Sequence, residues 1–247
     1  TPHPSGSPTM PATDRRHEVL DALGRAIVGG EIAPGASLTL EDVQSRHGVS
    51  RTLARDCVRA LESLGVVESR RRVGIVVRPR ETWSALAPQV VRWQLDVDPH
   101  GPKLGALTEL RAAIEPVAAA AAARRATEAQ RSTLLVLADA IRSTGTATGN
   151  VASYLGDDIA FHSLVLEASH NDAFEALTGV VAEVLSGRAR LTGRVQVPVA
   201  EALDLHVRVA HAIATGDAAA AEARMRELVA EVREVLLDRG LRGLLSG

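Results

Sequence analysis

The sequence predicts a mainly α chain in two modules: a small mixed one, then an all-helical one. Three observations carry this. Hydrophobic residues make up 46% of the chain and aromatics only 2%, so the core must be built from Ala, Leu and Val, and Ala and Leu are strong helix formers. Short β-type runs occur only before residue 80, whereas helical periodicity continues to about residue 240. The charge is also divided: residues 51–80 carry eight Arg against Asp56, Glu62 and Glu68, a balance of +5, while the rest of the chain is −7. A basic module joined to an acidic one suggests two jobs.

The elements follow in order. Residues 14–29 repeat apolar positions with helical period at Val19, Leu20, Leu23 and Ile27, and "GGEIAPGASL" breaks the pattern with three Gly and a Pro. A short helix follows at about 40–47, opened by Thr39 as N-cap with Asp42 three residues on. "HGVSRT" is a tight turn. Ser50 caps the next helix, about 51–64, with Leu53, Cys57, Val58, Leu61 and Leu64 as its apolar stripe and Gly65 as its stop. "VVES" and "GIVV" read as two short strands around the tip "RRRV". A linker at 81–103 holds both Trp residues and a short helix near 83–94. Long helices are expected at 104–124, 127–143, 150–169, 172–190, 198–215 and 217–239, the last capped by Asp217. Residues 1–13, rich in Pro, Ser and Gly, and residues 241–247 read as tails.

Several classes are set aside. One cysteine, Cys57, allows no internal disulfide and no Cys-based zinc site, which fits a reducing, cytoplasmic setting. No uncharged apolar run of about 18 residues suggests a membrane span.

Helix–helix–turn–helix–hairpin is the order of a winged helix-turn-helix, here expected over residues 14–80. Its second motif helix carries Arg51, Arg55 and Arg59 at spacing four. Arg51 and Thr52 stand at that helix's N-terminus, where such folds meet bases and phosphates. The wing tip Arg70–Arg72 suits a minor groove or backbone phosphates. The alternative is a solvated helix face and a charged hairpin; turn, cap, Arg spacing and wing together favour double-stranded DNA.

The helical module, expected over 104–240, holds a second pattern. In "DDIAFHSLVLEASHND", Asp158 and His162 stand four apart on one helix face. The spacing alone fits half a metal site, a ligand pocket, an enzyme centre or a polar face. Arg111, in "ELRAAIEP", lies in a helix otherwise lined by Leu and Ala. A guanidinium facing a bundle interior needs an anionic partner, either a bound carboxylate, which its fork suits, or Glu115 four residues on. "SGRARLTGR" offers Arg188, Arg190 and Arg194 as further cations or as a solvated loop.

"IVGGEIAPGASL", "HGVSRTLARDCVRALESLGVVE" and Gly74 resemble the DNA-binding domain of GntR-family bacterial transcription regulators. "LTELRAAIEPVAAAAAARRAT", "DDIAFHSLVLEASHND" and "LHVRVAHAIATGDAAAAEARMRELV" resemble the FCD effector domain of the FadR subfamily. The resemblance implies a homodimer on a pseudo-palindromic operator, expected to be a repressor, which releases that operator or binds it differently when a small metabolite enters an antiparallel helical bundle of FCD type. It implies DNA contacts at Arg51, Thr52, Arg55 and Arg71. It also implies an effector site at Arg111, Asp158, His162 and His206, with the last three as ligands of a divalent metal such as zinc. Leu228 stands where the family pattern has a fourth ligand. Three ligands can still hold Zn²⁺, and a polar, metal-free pocket is the alternative. "VVRWQL" with "LTELRAAIEP" resembles sugar-acid regulators, so the expected effector is a small carboxylate of the gluconate or galactonate type. Leu228 would instead favour a larger apolar or acyl-type effector. A metal-dependent enzyme is the third reading, against which stands the lack of a motif such as HExxH.

Overall fold

The computed structural model describes residues 12–99, 101–146, 151–191 and 200–238. It divides into two compact units, through Val97 and from Asp98 onward. The expected tails at 1–11 and 241–247 lie outside the described residues, but Ala12 and Thr13 already belong to the first helix.

In the N-terminal unit, α1 (Ala12–Val28) leads into β1 (Ser37–Leu38), α2 (Leu40–His47), α3 (Arg51–Ser63), β2 (Val67–Arg70) and β3 (Gly74–Val77). The capping box at Thr39 forms in both directions, with Asp42 N–H donating to Thr39 Oγ1 and Thr39 N–H donating to Asp42 Oδ2. Ser50 Oγ accepts from Leu53 N–H. The buried stripe of α3 is Ala54, Cys57, Val58 and Leu61, with Leu53 and Leu64 only half-buried.

The wing is a three-stranded antiparallel sheet in the order β1–β3–β2. Sequence reading misses β1, because two residues are too few to show an alternation. Gly74 has φ +107°, and a Cβ there would stand 2.6 Å from Leu38 O; only glycine lets β1 and β3 pair so closely at this bend.

The stretch read as a linker over 81–103 is different. A 3₁₀ turn (Arg80–Thr82) precedes α4 (Pro88–Val97), and both lie in the N-terminal unit. The helix starts later than 83 because Pro88 suits a first helical turn, where its missing N–H costs nothing. Trp83, Val90 and Trp93 join the core of α1 and α3. Trp93 is fully buried, donates Nε1–H to Asp21 Oδ1 at 2.8 Å, and lies flat on Gly24, where an added Cβ would sit 2.3 Å from the indole ring. Gly24→Ala is therefore expected to destabilise this unit. Overpacking a closed site costs about 1–3 kcal/mol, which outweighs the gain of about 0.8–1 kcal/mol in helix propensity. Both Trp residues are here, so a lower urea midpoint in Trp fluorescence checks it.

The second unit is helical throughout its described residues: α5 (Pro102–Arg125), α6 (Glu128–Thr146), α7 (Val151–Ala168), α8 (Asp172–Glu175), α9 (Thr178–Leu191), α10 (Ala200–Thr215) and α11 (Ala218–Asp238). α5 packs chiefly on α11 and α7, and α6 on α7 and α10. One expected helix, 172–190, is two. Thr178 Oγ1 donates to Glu175 O, a local bond that competes with a continuous helix at this break. Asp217 Oδ1 accepts from Ala220 N–H, capping α11. The core is rich in Ala, which lets α5 approach its neighbours closely through Ala118, Ala119, Ala122 and Ala123.

Candidate functional site

The Ser50 cap sets the N-terminus of α3 with Arg51, Thr52 and Arg55 all exposed. Arg51 meets Glu41 at 3.4 Å, with side chains 61% and 73% exposed; such surface pairs are weak and readily exchanged for a phosphate. Arg59, 70% exposed, lies 4.0 Å from Asp56. In the wing, Arg70 is tied back to Glu68, while Arg71 and Arg72 stand exposed on the turn between β2 and β3. Arg72 takes a left-handed φ of 66°, which turns the chain sharply at the tip. All the Arg side chains proposed from the sequence to meet DNA are thus on the surface of one small unit.

The second constellation is buried. Arg111 and Glu115 from α5, Asp158 and His162 from α7, and His206 from α10 are each at most 4% exposed. Helical spacing places each i, i+4 pair on one face, and α5, which packs on both α7 and α10, brings the three helices together. Glu115 Oε1 accepts from Arg111 Nε at 2.5 Å, and its Oε2 accepts from His162 Nδ1 at 2.5 Å and from Arg111 Nη2 at 3.3 Å. His206 Nδ1 donates to Ala202 O at 2.8 Å, and its Nε2 lies 3.0 Å from Asp158 Oδ1. His162 Nε2 lies 3.6 Å from that same oxygen. Phe161, fully buried, sets its ring edge-to-face against both imidazoles.

The tautomers follow from the acceptors. A carbonyl and a carboxylate accept only, so both Nδ1 atoms carry protons and both Nε2 atoms face Asp158. In this arrangement both Nε2 lone pairs can be offered to one shared cation. Burial alone would push the Glu115 carboxyl up; the charges of Arg111 and His162 outweigh it and hold it at about 2. Burial likewise opposes the Asp158 carboxylate, but the two imidazoles beside it hold it well below the usual range. Burial would lower His162, and the Glu115 charge with the flanking carboxylates raises it.

The donor chemistry fits a metal. The ligand atoms of Asp158, His162 and His206 lie within 4.8 Å of one another, and the two edges at 3.0 and 3.6 Å bracket the roughly 3.3 Å between ligands of a tetrahedral ion bound at about 2.0–2.1 Å. Glu115 and Ala202 O supply the outer hydrogen bonds that orient metal-binding imidazoles. Leu228 is 4% exposed in the apolar core and can donate nothing. His211 is exposed; His170, also exposed, holds a left-handed φ of 47° at the end of α7 and meets Gln130. The side chains of Arg188 and Arg190, and Arg194 altogether, lie outside the described residues.

Sequence reading brings Arg111, Asp158, His162 and His206 to this site but treats Glu115 only as a rival partner for Arg111. A carboxylate inside a run of Ala and Leu, one turn from an Arg, was the available signal.

A basic winged helix-turn-helix followed by a helical bundle defines a DNA-binding regulator. The chain matches "Bacterial regulatory proteins, gntR family" over residues 15–77 and "FCD domain" over residues 106–231, and it belongs to that family. It is 30% identical over 171 residues to the galactonate operon transcriptional repressor of Escherichia coli K12, covering 69% of this chain and 72% of that one. It is 28% identical over 218 residues to the HTH-type transcriptional regulator LutR of Bacillus subtilis 168, covering 85% and 95%. Among solved structures, E. coli McbR/YncC aligns with TM-score 0.52 at 16% identity, covering 91% of this chain and 98% of that one. Lar, which controls expression of the Listeria monocytogenes agr system, aligns with TM-score 0.58 at 16% identity, covering 92% and 96%. These two structures support the fold. The chain is a regulator of transcription, and its relatives are regulators, not enzymes. Among the described residues no helix is long and apolar enough to cross a membrane.

Proposed function

We propose that this chain is a repressor of the FadR subfamily that binds a palindromic operator as a homodimer and releases it when a small organic acid enters the helical unit. The buried Arg111–Glu115–His162–Asp158–His206 cluster carries this reading, since a repressor with no ligand to sense has no use for so many desolvated charges. Asp158, His162 and His206 would hold a divalent ion such as zinc, which supplies a Lewis-acidic seat for a carboxylate. The relation to a galactonate operon repressor favours a sugar acid.

Calorimetric titration with zinc, then with galactonate and gluconate, tests the site. Asp158→Ala is expected to lose zinc binding by at least ten-fold, because it removes the oxygen on which both imidazoles converge. Full zinc affinity in that variant would overturn the ligand set, and no heat from any acid would overturn the effector class.

On the DNA side, α3 enters the major groove with Arg51, Thr52 and Arg55, and Arg71 reaches the flanking minor groove or backbone. Arg55→Ala is expected to weaken binding to an operator selected from a random pool by about 1–3 kcal/mol. An unchanged gel-shift affinity would remove α3 as the reading helix.

A further inference from the structure

Glu115 touches two neighbours at once. Its carboxylate takes the Nε and Nη2 edge of Arg111 and the Nδ1–H of His162. Arg111 therefore faces the cluster already neutralised on one side. Its Nη1 is buried with no hydrogen-bond partner among the described residues. An orphaned guanidinium N–H is costly and calls for an acceptor oxygen.

The fixed charges are few. Arg111 is positive; Glu115 and Asp158 are negative. Imidazoles bound to a metal are neutral, so a divalent ion leaves the loaded cluster with a net charge of +1. One carboxylate closes that balance. A second would need its own cation, and among the described residues no buried Arg or Lys other than Arg111 is present. An unpaired buried charge is strongly disfavoured.

We infer that the site selects a monocarboxylate against the dicarboxylate of the same skeleton, with Glu115 as the specificity-determining residue. This rests on the acid-binding reading above. The free Nη1 meets one oxygen of the single carboxylate. Were Glu115 uncharged, Arg111 would be released as a second cation and the site would tolerate a dianion.

The test uses the full chain loaded with zinc and two matched pairs: galactonate with galactarate, and gluconate with glucarate. Members of a pair share carbon number and the configuration of C2–C5 and differ at C6, a hydroxymethyl in the monoacid and a second carboxylate in the diacid. Calorimetry is expected to show the monoacid bound at least ten-fold more tightly in the pair that binds. In Glu115→Gln that gap is expected to shrink by at least ten-fold or reverse. Equal or tighter binding of the diacid by the unmodified protein would overturn the inference and leave the acid reading intact. Silence from all four ligands would overturn both. The unmodified comparison decides even where Glu115→Gln does not fold, and a folded variant with an unchanged gap removes Glu115 as the determinant.

Discussion

Glu115→Ala is expected to destabilise the helical unit by about 3–5 kcal/mol, the usual consequence of leaving a buried charge without its partner. Arg111, 1% exposed, would lose its anion, and His162 would lose the acceptor that fixes its tautomer. Glu115→Gln should cost less, since an amide oxygen still accepts from Arg111. The two units can be followed separately. Trp83 and Trp93, the chain's two tryptophans, are in the N-terminal unit, whereas far-UV circular dichroism sees both units. A dichroism transition moved to lower urea beside an unmoved Trp transition is the expected result. Coincident, unshifted transitions would show that Arg111 finds another partner at little cost.

Arg131→Ala is the second large effect. This guanidinium on α6 donates from Nε to Ala126 O at 3.2 Å, from Nη2 to Ala123 O at 2.8 Å and from Nη1 to Ala214 O at 2.9 Å, and also to Ile213 O. It thus satisfies carbonyls at the C-terminal ends of both α5 and α10, where the helix dipoles favour a cation. Each charge-assisted bond is worth about 1.5–3 kcal/mol. Arg131 is only half-buried, so water recovers part of the loss. A net cost of about 2–3 kcal/mol follows. Arg131→Lys should rescue only a fraction, because one ammonium cannot reach four carbonyls with the geometry of a planar fork. The same dichroism titration checks both, and an Arg131→Lys melt equal to the unmodified one would refute the geometric argument.

Local physics explains what was readable beforehand. Thr39, Ser50, Gly65 and Asp217 act within three or four residues of themselves, and each stands where its helix begins or ends. The Asp158–His162 pair was visible for the same reason, as one turn of one helix. The partnership of Glu115 with His162 spans 47 residues, and nothing in spacing announces it. The division of residues 81–103 was hidden too. Trp83 and Trp93 sit in a short stretch interrupted by Pro88, and only the notch at Gly24 shows where Trp93 goes.

That docking of α4 has a mechanical consequence. α4 (Pro88–Val97) belongs to the same compact unit as α1, and Trp93 seats its ring in the notch at Gly24. α4 is thereby keyed to α1 as a strut, by an indole seated in a notch and a hydrogen bond to Asp21. Whatever moves α1 carries α4 with it.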